Sequence, residues 1–390
     1  MQVWRNWRAP FSPPFFTRSG VHGWFLPVRR SLVSPMSSPF PILDASDPFA
    51  APLVQYLRRH PKRIVFPDGN DPRILRVAAE LVRLEAVAPI LLGRRAEIQE
   101  LARKLKVNLD FIGVLDPEQS ADFTLFCERY RKIGRYRRVK ITDPGEVMAK
   151  PAYYGAMMLQ YGYADGLVGG NLSLSSAIYR ALFHMLKRLP GLDCAGSCLP
   201  LLLTHRKDLG TRGVLFLADC AVIPAPTVSQ LAMLAVETAR VVGSLMNETP
   251  RVAMISYSTR GSTRDAATQR VMAATGLARE RARQEFLNME IDGEMEIDAA
   301  LNPAASARKT PHSPVAGRAN VLIFPGLTAA SAAAQLLEIA AGAEPCGQLI
   351  LGLARPSSCV SRAASERTIL RAALATAMRS VAYREVIEQE

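Results

Sequence analysis

The segment ARKTPHSPVAGRANVLIFPG, residues 307–326, is the stretch that decides the fold. Its second half, residues 319–324, is apolar and β-favouring and too short for a helix, so it predicts a buried strand that a Pro-Gly turn ends. The first half predicts a loop stiffened by two prolines and a glycine. Four of its polar side chains lie close together in sequence: Lys309, His312, Ser313 and Arg318. A stiff loop with cations and a hydroxyl beside a strand is typical of an anion site in an α/β protein, although an ordinary surface loop with solvated cations fits the same pattern.

The composition indicates a globular chain with an ample core. Of its 390 residues, 49% are hydrophobic, and no apolar run reaches the about 18 residues that a membrane span needs. The net charge of +13 favours an anionic partner, which on charge alone can be a nucleotide-like cofactor, nucleic acid or an acidic surface. Six scattered cysteines predict reduced thiols, and their spacing predicts no metal site.

Residues 1–41 differ from the rest of the chain. They hold five arginines, all three tryptophans and no acidic residue. This composition resembles a transit peptide, but the many prolines argue against an amphipathic helix. A non-native or mis-called extension before Met36 is the preferred interpretation, and a targeting segment stays open. We therefore expect an unstructured extension and a cytoplasmic protein.

The next hundred residues predict a βαβ arrangement. Residues 63–67 form a strand, and Asp71 caps a helix that has Pro72 at its first position. This places Arg73 in the first helical turn, at the carboxyl end of a strand. A second strand at residues 88–92 and a helix at 94–107 follow. Both strands are uniformly apolar, so we expect a parallel sheet that is covered on both faces.

Three further stretches are candidates for ligand contacts. The basic run at residues 128–140 is either a solvated helix end or a phosphate contact with Tyr130 or Tyr136 against a base. After a strand at 164–168, a Gly/Ser turn and a helix start predict free backbone N–H groups for phosphate. A strand at 251–257 delivers Ser258, Thr259 and Arg260 into a loop that is suited to anions.

Together these motifs identify a family. The chain resembles the phosphate acetyltransferase / phosphate butyryltransferase family over about residues 44–384. Six segments match in order and spacing: RIVFPDGNDPRIL, ADGLVGG, FLADCAVIPAPTVSQLA, VAMISYSTRGS, IDGEMEIDAA and ARKTPHSPVAGRANVLIFP. The resemblance implies two three-layer α/β/α domains with mostly parallel sheets and an active cleft between them. Domain one would comprise 42–190 plus 347–390, and domain two 191–346.

The resemblance also implies the activity and its residues. The family moves an acetyl or other short acyl group between coenzyme A (CoA) and phosphate by direct thiolate attack. CoA is a substrate, no cofactor is bound permanently, and no metal is implied. A homodimer is expected, with neither nucleic acid nor membrane as partner. The implied residues are Ser361 and Arg362 for catalysis, Arg73, Arg131 and Arg180 for CoA, and Ser258, Thr259, Ser313 and Arg318 for phosphate or substrate.

Several positions depart from the family pattern. An Asn-Asp pair is replaced by Ser358 and Cys359, the aspartate proposed to accept the thiol proton by Thr368, and a polar segment by residues 326–335. A catalytically weakened paralogue that binds CoA, an acyl-CoA or a phosphate metabolite is therefore a second hypothesis. A different reaction on the same scaffold is a third, without a dinucleotide fingerprint to support it.

Overall fold

The computed structural model describes residues 42–44, 46–137 and 143–387. The predicted extension at 1–41, the last three residues of the basic run and residues 388–390 of the predicted domain one lie outside this description. None of the helices in the described ranges is long and apolar enough to cross a membrane.

Strands that follow the apolar runs form the framework of the fold. Those in the described residues are β1 (Lys62–Phe66), β2 (Val87–Leu92), β3 (Gly113–Leu115), β4 (Gly166–Gly169), β5 (Gly196–Leu202), β6 (Val214–Ala218), β7 (Arg251–Ile255), β8 (Glu290–Met295), β9 (Val321–Ile323), β10 (Glu344–Pro345), β11 (Gln348–Leu351) and β12 (Ser357–Cys359). The predicted strand at 319–324 is confirmed as β9, and those at 63–67 and 88–92 as β1 and β2. The sequence did not predict β12, because Ser-Ser-Cys carries no apolar run.

Helices lie between most of these strands. The described residues form α1 (Ala50–Leu57), α2 (Pro72–Arg83), α3 (Arg95–Leu105), α4 (Phe123–Arg137), α5 (Pro144–Met148), α6 (Pro151–Gln160), α7 (Ser175–Met185), α8 (Val228–Met246), α9 (Ala266–Gln284), α10 (Ile297–Leu301), α11 (Pro303–Lys309), α12 (Leu327–Ala340) and α13 (Glu366–Ile387). The predicted cap of α2 is confirmed, since the Asp71 carboxylate accepts the Arg73 N–H at 2.8 Å. The loop predicted at 307–318 is wrong in its first three residues, which end α11, because the cap of Asn302 and the proline after it start a helix there.

All of these strands belong to one sheet, in the order β3-β2-β1-β4-β12-β11-β5-β6-β9-β7-β8, with β10 paired to β5. The first five strands of that order are mutually parallel, and so are the last four. The strands β11 and β5 join the two sets through antiparallel pairs. The fold is therefore α/β with a mixed, mostly parallel sheet, as predicted, and the pure parallel pairing expected from the apolar strands is broken only at this junction.

The same junction is where the two predicted domains meet. β11 belongs to the predicted domain one and β5 to the predicted domain two, and they pair through three registered positions. Strands of both therefore share a single sheet. The division into 42–190 plus 347–390 and 191–346 remains a prediction.

The helix α13 anchors the segment that precedes it to the core. It packs against α1, α2, β1, β4 and β12. Arg371, 2% exposed, donates from Nε and Nη2 to Asp47 at 2.9 and 2.7 Å and from Nη1 to Glu344 at 2.8 Å. The turn at residues 361–365 connects β12 to the first residue of α13, so the packing of α13 also holds this turn in place.

Candidate active site

A pocket of about 450 Å³ opens at the carboxyl end of β12, beside the start of α7. The predicted catalytic residues Ser361 and Arg362 both line it. The complete lining is Leu174, Ser175, Ser176, Tyr179, Gln348, Cys359, Val360, Ser361 and Arg362. The structure thus brings the strand-end segment and the α7 turn together, although they are far apart in sequence.

The segment that carries Ser361 and Arg362 is a turn held by backbone hydrogen bonds. The Val360 N–H donates to the Gly169 carbonyl at 2.9 Å, and the Ala364 N–H donates to the Ser361 carbonyl at 2.9 Å. Both Ser361 and Arg362 are exposed. Within the described ranges the Arg362 guanidinium has no ion pair, so its charge is available to an anion that enters the pocket.

Arg73 holds this turn through hydrogen bonds to its backbone and is not among the residues that line the pocket. Its Nη1 donates to the carbonyls of Arg362 and Ala364, both at 2.8 Å, and its Nη2 donates to the Asn171 carbonyl at 2.9 Å. Its Nε and Nη2 also bind the Asp71 carboxylate, the shorter contact being 2.7 Å. A guanidinium has five N–H groups, and all five of these are committed to protein acceptors. The contact of Arg73 with CoA therefore remains a prediction, and the structure adds a positioning role.

The Gly/Ser turn after β4 does not offer the free N–H groups that the sequence predicted. The Asp68 carboxylate accepts the N–H groups of Gly170, Leu172 and Ser173 at 3.1 to 3.4 Å and the Ser173 hydroxyl at 2.6 Å. An internal anion already occupies this turn. For the turn itself, the prediction of a backbone phosphate cradle is wrong because the loop after β1 supplies the acceptor; the part of the prediction that concerns the start of α7 stays a prediction.

The pocket combines neutral polar groups with one cation. Burial raises the pKa of the Cys359 thiol, and hydrogen bonds to Ser175 and Tyr179 offset this only in part. Burial also raises the pKa of the Tyr179 hydroxyl, so both groups stay protonated near neutral pH. No Asp, Glu or His belongs to the lining as far as the described residues form it, which leaves Arg362 to set the sign of its potential.

The other two predicted CoA residues lie on helices. Arg180 is exposed on α7, directly after Tyr179, which lines the pocket. Arg131 is exposed on α4 and does not line the pocket. Of the two tyrosines in the basic run, Tyr130 is 8% exposed and part of the core, whereas Tyr136 is 89% exposed. Only Tyr136 therefore remains a candidate for stacking on a base.

Carboxylates occupy the loop after β7 that was predicted for phosphate. The Ser258 hydroxyl is buried and donates to Glu294 at 3.0 Å, and the Gly261 N–H donates to the same carboxylate at 2.7 Å. The Thr259 hydroxyl donates to Glu296 at 3.1 Å. An anion at this loop must replace one of these acceptors, so the phosphate role of Ser258 and Thr259 stays a prediction.

The loop between α11 and β9 carries the remaining predicted residues. Ser313 is 7% exposed, and its Oγ has no hydrogen-bond partner in the described part of the chain. Arg318 is exposed, and its backbone carbonyl accepts from Arg251 Nε at 2.5 Å. Lys309 is paired with Glu296 and Asp298 at 2.9 and 2.8 Å. Of the predicted cations here, Lys309 is thus neutralised within the protein.

Comparison with known proteins identifies the family. A family model described as Phosphate acetyl/butaryl transferase matches residues 48–377. The chain belongs to this family. A phosphate acetyltransferase of Thermoanaerobacterium thermosaccharolyticum is 34% identical over 84% of this chain and 98% of its own length. One of Treponema pallidum is 33% identical over 82% of this chain and 95% of its own length.

Solved structures agree with the family assignment. The EutD phosphotransacetylase from Staphylococcus aureus has a TM-score of 0.76 at 29% identity, covering 85% of this chain and 99% of that one. A phosphotransacetylase from Streptococcus pyogenes has a TM-score of 0.78 at 29% identity, over 85% of this chain and 97% of that one. The resemblance read from the sequence motifs, the α/β fold and the enzyme class are confirmed.

Two of the positions that depart from the family pattern, Thr368 and Ser358, are engaged inside the protein. The Thr368 hydroxyl lies 3.0 Å from the Ser365 hydroxyl, and Thr368 is 6% exposed. The carboxylate of Glu366, the nearest acid in sequence, binds Arg76 at 2.7 Å. Ser358 is fully buried against Thr376. None of these three side chains lines the pocket, and the described residues place no carboxylate in its lining beside Ser361.

Sequence reasoning missed a polar chain that ends at the pocket. Gln348 Nε2 donates to the Ser197 hydroxyl at 2.6 Å, and the Ser197 hydroxyl donates to Asp219. Asp219 also accepts the N–H groups of the next residues, the shortest at 2.8 Å from Ile223. Burial raises the pKa of the Asp219 carboxyl, and these four donors counter it. A polar residue opening an otherwise apolar strand, as Gln348 opens β11, was the one available signal.

Proposed function

We propose that this protein transfers an acetyl or other short acyl group between CoA and inorganic phosphate in the pocket beside β12. The observation that carries the proposal is the exposed Arg362, which forms no ion pair with any residue that the structure describes, next to the Ser361 hydroxyl in that pocket. A cation and a hydroxyl donor at one site can stabilise the negative charge that develops in acyl transfer from an acyl phosphate. The names of the relatives, phosphate acetyltransferase, agree with it.

Direct transfer needs no covalent enzyme intermediate. The CoA sulfur forms a bond to the acyl carbon, the bond from that carbon to the phosphate oxygen breaks, and the thiol proton leaves with the product as hydrogen phosphate. Ser361 donates a hydrogen bond to the carbonyl oxygen as negative charge develops on it. Arg362 binds the departing phosphate, where its charge stabilises the transition state more than the ground state.

The surrounding residues complete the proposal. Arg131 and Arg180 would hold CoA, and Arg180 directly follows Tyr179, which lines the pocket. Ser258, Thr259, Ser313 and Arg318 would contact phosphate when the two predicted domains close on the substrates. We expect a cytoplasmic homodimer that holds no permanent cofactor.

The decisive experiment is direct. The purified full chain is mixed with acetyl phosphate and CoA, and thioester formation is followed by its ultraviolet absorbance. Arg362→Ala is expected to lower kcat/KM by at least about 10²-fold, since a preorganised charge contact is lost. Arg206→Ala, which removes an exposed arginine paired with Asp208 on a surface loop, is the matched control and should leave kcat/KM unchanged. Equal rates for both variants would refute the assignment of the site.

A second candidate is a weakened paralogue that binds CoA or an acyl-CoA in a regulatory or assembly role. The absence of any carboxylate or imidazole from the described pocket lining favours it. Calorimetric CoA binding without thioester formation above the uncatalysed rate would support this candidate and exclude the first.

A further inference from the structure

The strand β11 begins with Gln348, whose side chain is oriented by hydrogen bonds that lead to two buried residues, Ser197 and Asp219. Asp219 is 2% exposed and Ser197 is fully buried, whereas Gln348 is half-buried and lines the pocket. The three side chains form one chain of hydrogen bonds that leads from the buried carboxylate to the pocket wall.

The direction of this chain follows from the number of hydrogens. Four donors, three backbone N–H groups and the Ser197 hydroxyl, converge on the Asp219 carboxylate, so it acts as acceptor only. Ser197 has one hydrogen and gives it to Asp219. Towards Gln348 it can therefore only accept, and the amide must present Nε2 to it. The polar atom that Gln348 has left is Oε1, which forms no hydrogen bond within the described ranges.

An amide oxygen in this position distinguishes the two substrates. It accepts hydrogen bonds, and it repels the ionised oxygen atoms of phosphate and of an acyl phosphate. An ionised acyl phosphate has no hydrogen to donate, and inorganic phosphate carries its remaining hydrogen among oxygens that the amide oxygen repels. The pantetheine arm of CoA, in contrast, carries two amide N–H groups, a hydroxyl and a thiol. This arm can therefore donate to Oε1 without bringing an ionised oxygen against it.

We propose that Gln348, oriented by Ser197 and Asp219, accepts a hydrogen bond from the pantetheine arm of CoA and thereby selects that arm in this pocket. The inference rests on the proposed binding of CoA. Gln348 is the contact residue, and Ser197 and Asp219 are positioning residues.

Calorimetry on the full chain tests the contact with three ligands: CoA, 4′-phosphopantetheine, which keeps the arm, and adenosine 3′,5′-bisphosphate, which lacks it. Gln348→Met keeps the length of the side chain and removes both polar atoms. It is expected to raise Kd for the first two ligands by about 3- to 10-fold, the loss of one neutral hydrogen bond, and to leave the third unchanged. Gln335→Met, on the exposed face of α12, is the matched control.

Ser197→Ala tests the positioning. It should weaken CoA binding by a similar factor, and the double variant Ser197→Ala/Gln348→Met should be no weaker than the weaker single variant, because both remove the same interaction. A merely structural role would give additive losses and a lower unfolding temperature in each variant.

The outcomes separate the two proposals. If the wild-type chain binds neither CoA nor 4′-phosphopantetheine, the proposed function fails and this inference fails with it. If the wild type binds both and Gln348→Met binds them equally well, only the inference is overturned. A raised Kd for inorganic phosphate in Gln348→Met, with CoA unaffected, would show that the amide presents Nε2 to the pocket and would also overturn it.

Discussion

Replacing Arg73 with lysine tests whether the turn that carries Ser361 and Arg362 owes its position to a single guanidinium. Lysine keeps the charge and can keep a contact with Asp71. Its three N–H groups on one nitrogen cannot reach the carbonyls of Arg362 and Ala364, which Arg73 Nη1 binds at 2.8 Å each, while they also serve Asp71. We therefore expect Arg73→Lys to fold and to lose activity through kcat.

The magnitude follows from the two bonds lost. Hydrogen bonds from a charged donor contribute about 1.5–3 kcal/mol each, or about 3–6 kcal/mol for two. The Arg73 side chain is 26% exposed, so water replaces part of this interaction, and we halve the figure to about 1.5–3 kcal/mol. If that energy holds the turn in its active position, kcat falls by about 10- to 150-fold, at tenfold for each about 1.4 kcal/mol.

Steady-state thioester formation and ligand binding are measured together. Kd for adenosine 3′,5′-bisphosphate should stay within about twofold of wild type, because no N–H of Arg73 is left for a ligand phosphate. Arg76→Lys is the control on the same helix: Arg76 pairs with Glu366 at 2.7 Å and is 45% exposed, and lysine can keep that pair. It should leave both quantities unchanged.

The opposite pattern would refute this reasoning. An unchanged kcat in Arg73→Lys, with a tenfold or greater rise in Kd for the bisphosphate, would mean that Arg73 releases its carbonyl partners and binds CoA directly. The residue would then be a ligand contact, as the resemblance implied, and the turn would be held by other groups.

Two predictions concern stability. Asp47→Ala leaves Arg371 buried without its main partner and should lower the free energy of unfolding by about 3–5 kcal/mol, as measured by urea titration. The double variant Asp47→Leu/Arg371→Met, which removes both charges, should recover most of this loss. A loss below about 1 kcal/mol in Asp47→Ala would contradict a stabilising role for the buried pair. Burial acts to raise the pKa of Asp165, but the bonds from Arg63 outweigh it and hold that pKa below its ordinary value. The ionised Asp165 carboxylate therefore contributes fully to the free energy of unfolding above about pH 4, and this contribution is lost as the pH falls through the pKa of Asp165 in the folded state. Asp165→Asn should make the free energy of unfolding fall less steeply with pH on the acid side. Equal acid-side slopes for the variant and the wild type would contradict the lowered pKa of Asp165.

Local sequence signals predicted much of the fold. The apolar runs gave β1, β2 and β9, and Asp71 before Pro72 gave the start of α2. These signals act over a few residues, because capping, turn formation and strand propensity depend on near neighbours. The family motifs also predicted Ser361 and Arg362 as members of one site, and in the structure both residues line the same pocket.

The ligand contacts were harder to predict from these signals. The Gly/Ser turn after β4 had the composition of a phosphate loop, yet Asp68, which comes from the loop after β1 about a hundred residues earlier, occupies its N–H groups. In the same way Glu294 satisfies Ser258 across 36 residues. A sequence pattern shows which donors a loop can offer, but not which acceptor of the same chain reaches them first.

By itself, then, the sequence determined the family, the α/β class and the start of α2, since each of these is encoded in contiguous motifs. Only the tertiary structure decided that the polar β12 fits between β4 and β11, that Arg73 holds a turn 289 residues away, and that Asp219 orients Gln348. The physical reason is that these contacts end on backbone carbonyls or pass through a buried serine. Such partners leave no mark in residue type or spacing, and only the packing of distant strands brings them within hydrogen-bond distance.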